Sequence, residues 1–168
     1  PANGRVLALD VNTGTLTWVR AVRLDGTTPF TAFGAAGGVY VPAALNPTLG
    51  DTLFVMDGAG YLAALNPANG NFRWDDNTTA SGPVGSLAFT HLRTENAAGT
   101  VIVNAVPTVL VATSSGVLRG FYADGSVTPS GERTNWGFFL EGDDQQASFA
   151  IGGWPNAPGV LAERSHIY

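Results

Sequence analysis

The sequence predicts an all-β chain of repeated units, each with four antiparallel strands, packed side by side or arranged radially. Two observations carry this prediction. Residues 4–18 resemble residues 60–74, so the chain contains an internal repeat with an interval of 56 residues, from Gly4 to Gly60. Short apolar runs alternate with turns rich in the 22 Gly and 10 Pro, and no stretch shows helical periodicity over a useful length.

The composition argues against several classes of function. The formal net charge at pH 7 is −5, the eight basic residues are all Arg, and they form no cluster. Nucleic-acid binding requires several cations that neutralise phosphates, so no nucleic-acid partner is predicted. The chain has no Cys, which excludes a disulfide, a thiolate metal site and a cysteine nucleophile. No apolar run approaches the roughly 20 residues that span a bilayer, so no membrane span is predicted.

The first half of the chain is predicted to contain one half unit and one complete unit. Residues 1–28 are the outer half of a unit, a hairpin whose turn contains Asp10 and Gly14. The Asp10 carboxylate can accept hydrogen bonds from turn amides, and Gly14 suits a positive φ angle. Residues 29–80 are a complete unit of four strands. Its predicted strands cover residues 34–41, 52–56, 61–65 and 72–74.

The second half is predicted to contain a third unit, residues 81–142, and the inner half of a fourth, residues 143–168. The third copy of the repeat has Gly120 in place of Ala64, and its tryptophan, Trp136, comes late because of insertions. Its predicted strands cover residues 85–89, 101–103, 109–112 and 116–121. The fourth unit is predicted to begin with strands at residues 148–153 and 159–162.

A spaced motif links the first two copies of the repeat. The pattern is Ala-x-Asp-x-x-x-Gly-x-x-x-Trp, with Asn in place of Asp in the second copy, which keeps a capping side-chain oxygen. The motif residues are Ala8, Asp10, Gly14 and Trp18, then Ala64, Asn66, Gly70 and Trp74. This pattern resembles the tryptophan-docking motif of the quinoprotein-type (PQQ-like) β-propeller repeat, and the third copy matches it weakly. The resemblance implies propeller blades of four antiparallel strands.

A physical argument agrees with this resemblance. A four-stranded blade cannot bury both of its faces alone, so it needs neighbours. A tryptophan on the outer strand, wedged between blades, buries a large area and can donate its indole N–H to a backbone carbonyl. Trp18 and Trp74 are therefore predicted to be structural, and Trp18→Ala is expected to cost roughly 3–5 kcal/mol.

The chain supplies about three blades, with half-blades at both ends, whereas propellers usually have about four to eight. Three alternatives follow: a fragment of a larger propeller, two copies closing a six-bladed ring, or an open array whose edges pair with a partner. The chain starts with neither an initiator methionine nor a signal peptide, so it either begins after processing or is a piece of something longer. We favour the fragment, because Pro1 and Tyr168 both fall in the middle of a predicted blade.

The resemblance also raises the question of a cofactor. Enzymes of the family hold pyrroloquinoline quinone (PQQ) with a calcium ion, an acidic base and, in many members, a pair of cysteines. Here the acidic pair Asp75 and Asp76 is predicted in a polar turn, as is the pair Asp143 and Asp144. A calcium site made by the second pair with Glu141 is conceivable, but a solvated loop is favoured. Asp57, in an Asp-Gly sequence, is predicted to be a turn residue.

The remaining candidates are weak. His91 and His166 have no ligand spacing, and no Gly-x-Ser-x-Gly sequence is present, so neither a metal pair nor a nucleophilic serine is predicted. Asn77 begins an Asn-x-Thr sequon that indicates an exposed loop. Trp154 is predicted to lie in the core or between blades rather than on a ligand-binding rim. No catalytic or metal-binding residue is therefore predicted.

The function we predict is a non-catalytic scaffold that presents loops to a protein partner, as in assembly factors and envelope proteins with such propellers, with no cofactor in this chain. Its partners would be a protein, the remaining blades or a second copy. One alternative is a segment of a PQQ-dependent dehydrogenase whose catalytic residues, PQQ and calcium lie outside this chain. Another is a glycan-binding or surface-structural module, favoured by acidic, Lys-free loops. The resemblance implies a periplasmic or extracellular location.

Overall fold

In the computed structural model, the chain is described at residues 4–33, 38–77, 82–83, 87–92, 106–114, 117–127, 134–139, 151–153 and 165–167. These residues form strands and turns, and they contain no helix. Consequently none of the described segments offers a helix that is long and apolar enough to cross a membrane.

The described strands lie in four antiparallel sheets. The two-stranded sheets are β1 (Val6–Leu9) with β2 (Leu16–Arg20), and β11 (Ile151–Gly153) with β12 (Ser165–Ile167). One four-stranded sheet contains β3 (Gly38–Val41), β4 (Thr52–Met56), β5 (Leu62–Leu65) and β6 (Phe72–Asp76). The other contains β7 (Ala88–Leu92), β8 (Val106–Ala112), β9 (Val117–Tyr122) and β10 (Thr134–Phe139).

In both four-stranded sheets the strands follow one another in chain order, as they do in a propeller blade. The prediction of an all-β fold with propeller-like blades of four antiparallel strands is confirmed. The division of the chain into domains at residues 28, 80 and 142 stays a prediction.

The acidic pair after the second repeat is placed differently from the prediction. Asp75 and Asp76 lie in β6 rather than in a polar turn, because β6 continues to pair with the buried strand β5 beyond Trp74. Asp75 is opposite Ala63, and Asp76 is opposite Leu62. The predicted strands at residues 101–103 and 159–162 lie outside the described residues, and the strand that pairs with β11 is Ser165–Ile167.

The sheet β3–β6 is buried on both faces, and the alternation of side chains along its strands explains how. In β5, Leu62 and Ala64 point to one face, whereas Ala63 and Leu65 point to the other, and all four are fully buried. The first face packs against the sheet β7–β10 through Val109, Val111 and Phe121 among others. The second face packs against the sheet β1–β2 and the segment that contains Phe30.

The sheet β1–β2 is covered on one face. Val6 and Trp18 are half-buried against the second face of β3–β6. The opposite face carries two cross-strand apolar pairs, Leu7 with Val19 and Leu9 with Leu16. These four side chains are 44–60 % exposed, so no described residue covers that face.

Candidate functional site

The first turn, residues 10–14, is closed by its own acidic side chain. Oδ1 of Asp10 accepts hydrogen bonds from the amides of Asn12 and Thr13, both at 2.9 Å, and from the Thr13 hydroxyl at 3.0 Å. The Thr13 and Asn12 amides are the main reason why the pKa of Asp10 lies below its usual value. The amide of Gly14, whose φ is 69°, donates to the Asp10 carbonyl at 2.8 Å.

The second turn, residues 66–70, has the same backbone geometry with asparagine in the capping position. Oδ1 of Asn66 accepts a hydrogen bond from the Ala68 amide at 2.9 Å. The Gly70 amide donates to the Asn66 carbonyl at 2.7 Å, and the φ of Gly70 is 70°. An amide oxygen is sufficient for this turn, because the acceptor bonds to backbone amides rather than to a cation.

The indole of Trp18 lies on this second turn. Its Nε1 donates to the carbonyl of Pro67 at 2.8 Å. A Cβ atom added to Gly70 would lie 2.6 Å from Cε3 of Trp18, so only glycine leaves room for the ring. Arg20, next but one along β2, donates to the Gly70 carbonyl from Nε and to Oδ1 of Asn71 at 2.6 Å. The sheet β1–β2 is thereby joined to the second turn by three side-chain hydrogen bonds.

The indole of Trp74 lies on a third turn, residues 122–125, in the same way. Its Nε1 donates to the carbonyl of Ala123 at 3.3 Å, and a Cβ atom added to Gly125 would lie 2.7 Å from Cδ1 of Trp74. Both indole donors precede their acceptor residue by 49 positions. The third copy therefore receives an indole although its sequence matches the motif weakly, since the contact requires only a carbonyl and a glycine.

The tryptophan of each of the first two copies makes two kinds of contact, one within its own copy and one with the next copy. Within a copy, the alanine lies opposite the tryptophan in the strand ladder, as Ala8 does with Trp18 and Ala64 with Trp74. The tryptophan of one copy reaches the glycine of the next copy. The carbonyls of Pro67 and Ala123 were missed by sequence reasoning, because any residue type supplies a backbone acceptor.

We expect Gly70→Ala to displace the Trp18 indole and to destabilise the chain more than Gly26→Ala does. Both glycines have a positive φ, 70° and 74°, but a Cβ atom at Gly26 meets nothing within 4 Å. Gly26→Ala should therefore cost only the backbone strain of about 1–2 kcal/mol. Gly70→Ala should cost a further 1–3 kcal/mol or so from overpacking. Urea unfolding measures both, and equal losses would contradict the assignment of Gly70 to an indole contact.

A buried ion pair links the turn between β4 and β5 to the segment that precedes β3. Asp57 is fully buried, and its Oδ2 lies 2.8 Å from Nη2 of Arg23, whose side chain is 13 % exposed. The Asp57 carboxylate also accepts hydrogen bonds from the amides of Thr31 at 3.1 Å, Ala59 at 3.0 Å and Tyr61 at 3.1 Å. The last two bonds close the turn that the Asp-Gly sequence predicted. The bonds to Arg23 and Thr31 could not be expected from that sequence.

Tyr61 extends this cluster to β6. Its ring lies beneath the Arg23 guanidinium, with 4.5 Å from Cζ to the ring centroid. The phenol donates to Oδ2 of Asp75 at 2.7 Å and accepts from the amide of Leu24 at 3.0 Å. Burial raises the pKa of Tyr61 well above its usual value, and the bond to Asp75 acts in the same direction. The Asp57 carboxylate, the Tyr61 phenol and the Asp75 carboxylate are hydrogen-bonded within this cluster, which suits a positioning role, whereas Nε of Arg23 is buried and has no hydrogen-bond partner among the described residues.

Asp25 organises the turn between Arg23 and Thr28. Its Oδ1 accepts hydrogen bonds from the amides of Thr27 and Thr28, both at 2.8 Å. Hydrogen bonds from the Thr28 hydroxyl and then from these amides lower the pKa of Asp25 to about 2. This turn places Arg23 against Asp57.

The other candidates from the sequence do not form a metal site in the described part of the chain. No group of three or more His, Asp or Glu residues there could hold a metal ion. Nε2 of His91 lies 2.9 Å from the Leu45 carbonyl, and its ring packs edge-on against Phe89. Asn77 is exposed just after β6. Four side chains lie outside the described residues: Glu141, Asp143, Asp144 and Trp154. His166 is in β12, and its side chain is likewise not described.

A cavity of about 300 Å³ lies between β1 and the strands β3 and β4. Its lining is mostly apolar, with Val6, Phe33, Leu53 and Val55, and includes Arg5. One guanidinium without a carboxylate does not match the donor set of a quinone held with calcium, because calcium requires several converging oxygens. The cavity therefore does not fit that cofactor.

Comparison with known proteins agrees with this geometry. A family model of PQQ-like repeats, described as outer membrane protein assembly factor BamB, matches residues 1–138. No curated protein is similar enough to the chain to give a match. The matched segment contains the repeats, Trp18, Trp74 and the turns that their indoles contact. Because it covers most of the 168 residues, the chain belongs to the PQQ-like repeat family described as outer membrane protein assembly factor BamB.

Proposed function

We propose that this chain is a non-catalytic scaffold of propeller blades that binds other proteins during assembly at the outer membrane. The observation that carries the proposal is the pair of indole contacts, Trp18 with the second turn and Trp74 with the third turn. In this proposal the eight motif residues are docking elements, because they hold neighbouring blades in fixed relation. A fixed array of blades presents its loops as one rigid binding surface.

The use of the charged side chains supports a scaffold rather than an enzyme. The carboxylates of Asp10, Asp25 and Asp57 accept hydrogen bonds from backbone amides of their own turns. Asp57 in addition neutralises Arg23. A catalytic carboxylate needs access to a substrate, which the fully buried Asp57 lacks, whereas the exposed Asp10 and Asp25 close their own turns.

The partners we propose follow from the family description, which names a factor for the assembly of outer membrane proteins. They are outer membrane proteins or the proteins that assemble them, and the location is periplasmic or extracellular. The loop between β3 and β4 is a candidate contact region, because Leu45 is 45 % exposed there while neighbouring Asn46 is fully buried and donates to the Ala123 carbonyl at 3.3 Å. An apolar side chain on an anchored loop suits protein recognition.

The first test places a photo-crosslinking amino acid at Leu45 in cells that export the chain to the periplasm. We expect adducts with outer membrane proteins or with components that assemble them, identified by mass spectrometry. The same variant without irradiation is the control. Adducts that contain only unrelated proteins would contradict the assembly function.

The second test asks whether this chain itself binds PQQ, which neither the scaffold proposal nor a dehydrogenase segment with its PQQ site outside the chain expects. The purified chain is titrated with PQQ in the presence and in the absence of calcium, and binding is followed by calorimetry. A scaffold should show no saturable binding. Saturable binding with a Kd below about 10 μM that depends on calcium would contradict the scaffold proposal and place a PQQ site within this chain.

A further inference from the structure

The residue before the glycine of each of the three turns has a side-chain oxygen that accepts a hydrogen bond from the amide two positions further on. The acceptor is a threonine in the first turn, an asparagine in the second and an aspartate in the third. The bonds run from the Thr15 amide to Thr13 at 3.3 Å, from the Asn71 amide to Asn69 at 2.9 Å, and from the Ser126 amide to Asp124 at 2.9 Å. Of these three turns, the second combines an indole contact with an Asn-Gly pair, Asn69 and Gly70.

An asparagine that is followed by glycine can react with its own backbone. The amide nitrogen of the glycine attacks Cγ of the asparagine, because no Cβ atom shields that nitrogen. The N–Cγ bond forms, the Cγ–Nδ2 bond breaks, and the amide proton leaves with Nδ2 as ammonia. Water then opens the cyclic succinimide at either carbonyl, which gives aspartate or isoaspartate. Water is the only co-reactant, and nothing is oxidised or reduced.

Asn69 suits this reaction better than its neighbours do. It is exposed, and glycine follows it. Asn66 precedes a proline, which has no amide hydrogen, and Asn71 precedes the bulky Phe72. The third turn has an Asp-Gly pair, but the carboxylate of Asp124 is a poorer electrophile than an amide. The second turn is therefore the reactive one of the three.

In the native turn both reacting groups are held in hydrogen bonds. The Gly70 amide donates to the Asn66 carbonyl at 2.7 Å, and Oδ1 of Asn69 accepts from the Asn71 amide at 2.9 Å. The first bond must break for the Gly70 nitrogen to lose its proton, and the second restrains the side chain that this nitrogen attacks. The reaction therefore proceeds from an opened turn, and its rate follows the population of that open form.

The contact from the sheet β1–β2 opposes this opening. The Trp18 indole covers Gly70 and donates to the Pro67 carbonyl at 2.8 Å. Arg20 donates to the Gly70 carbonyl and to Oδ1 of Asn71. Because an opened turn loses these contacts, docking of the indole slows the reaction.

We infer that Asn69 is a site of spontaneous modification, that Trp18 protects it, and that its conversion to isoaspartate releases the indole. Isoaspartate routes the main chain through side-chain carbons and so lengthens the backbone before Gly70. The ring leaves no room for such a shift, because even a Cβ atom on Gly70 would lie 2.6 Å from Cε3 of Trp18. Aspartate, the other product, keeps the backbone and an oxygen for the Asn71 amide. The inference concerns the contact between two sheets and does not depend on which protein the scaffold binds.

The first test follows Asn69 by peptide mapping with mass spectrometry while the chain is incubated at neutral pH. Electron-transfer fragmentation distinguishes isoaspartate from aspartate, and mapping separates this site from Asn3–Gly4, the other Asn-Gly pair of the sequence. In urea, Asn69 should convert faster than Asn66 and Asn71. In the native chain it should convert at least about tenfold more slowly than in urea, as expected if opening the turn costs about 1.4 kcal/mol or more.

Variants test the protection by Trp18. Trp18→Ala should raise the native rate about fivefold or more. Arg20→Met removes hydrogen bonds to the same turn and keeps the indole, so it should raise the rate at least about twofold, and it serves if Trp18→Ala does not fold. Gly26→Ala is the matched control for general destabilisation, because its added atom meets nothing within 4 Å. Rates that Trp18→Ala and Arg20→Met leave unchanged, or that Gly26→Ala raises equally, would overturn the protection. An Asn69 that stays intact in urea would overturn the site itself.

The second test asks whether isoaspartate releases the indole. In an Asn3→Gln background, ion exchange isolates the chains that have gained a negative charge at position 69, and Asn69→Asp represents the aspartate product alone. By NMR, the Trp18 indole N–H should lose its protection from solvent exchange in the molecules that hold isoaspartate, whereas Trp74, docked on another turn, should keep it. Asn69→Asp should keep both indoles protected. An isoaspartate form in which Trp18 stays protected would overturn the release. None of these results bears on the Leu45 crosslinks, so the proposed function is tested separately.

Discussion

Trp74→Ala is expected to lower the free energy of unfolding by about 3–5 kcal/mol, a loss typical of truncating a fully buried tryptophan. Trp74 is 4 % exposed and lies in the cluster that joins the sheets β3–β6 and β7–β10. Its ring is 5.6 Å from that of Phe54, and its indole donates to Ala123. The alanine variant loses this packing and the hydrogen bond together, and Gly125 loses the ring that covers it.

Trp18→Ala is the matched comparison, because Trp18 makes the same contact on the preceding turn. Trp18 is only half-buried, so we expect a smaller loss of about 1–3 kcal/mol. The sequence alone led to an expectation of roughly 3–5 kcal/mol for Trp18, because it assumed complete burial. Urea unfolding followed by far-UV circular dichroism measures both variants. A loss below about 1 kcal/mol for Trp74→Ala would show that the contact seen here does not hold the two sheets together.

The parts of the fold that could be predicted are those with a local signal. The apolar run of β4 and the repeated turns carry their own strand and turn patterns, and β4 covers the predicted residues 52–56. The match of the third turn to the second was harder to predict. Gly125 follows Trp74, whose indole it contacts, by 125 − 74 = 51 positions, whereas Gly70 follows Trp18 by 70 − 18 = 52 positions. The shorter turn still offers a carbonyl and a glycine to the ring, and no side-chain pattern marks that equivalence.

The ion pair of Arg23 and Asp57 had no local signal at all. The two residues are 34 positions apart, and the only local prediction for either of them was the turn at Asp57. Asp75 and Asp76 show a related limit. Two adjacent acidic residues favour a turn on propensity, but pairing of β6 with the buried strand β5 overrides that preference. Contacts between distant segments therefore determine where these side chains lie, and a single sequence does not show which segments are in contact.

Asp57→Asn is expected to lower the free energy of unfolding by about 3–5 kcal/mol, because it leaves the Arg23 guanidinium without its counter-charge in a buried place. The asparagine keeps an oxygen for the amides of Ala59 and Tyr61, so the turn itself can persist. Asp51→Asn is the control, because Asp51 is exposed, and its partners are the Ala43 amide at 2.8 Å and the Tyr40 hydroxyl rather than a buried cation. It should leave the stability nearly unchanged.

A double-mutant cycle isolates the ion pair from the turn. Arg23→Met removes the cation and keeps an apolar stem over the Tyr61 ring, so the double variant of Arg23→Met and Asp57→Asn should lose less than the sum of the single variants. The difference should reach about 1 kcal/mol or more if the two charges stabilise each other in the native state. Strict additivity would instead mean that Asp57 acts through its turn amides alone. In that case Trp18, Arg20 and the core around Phe30 would carry the junction between the sheets β1–β2 and β3–β6 without help from the ion pair.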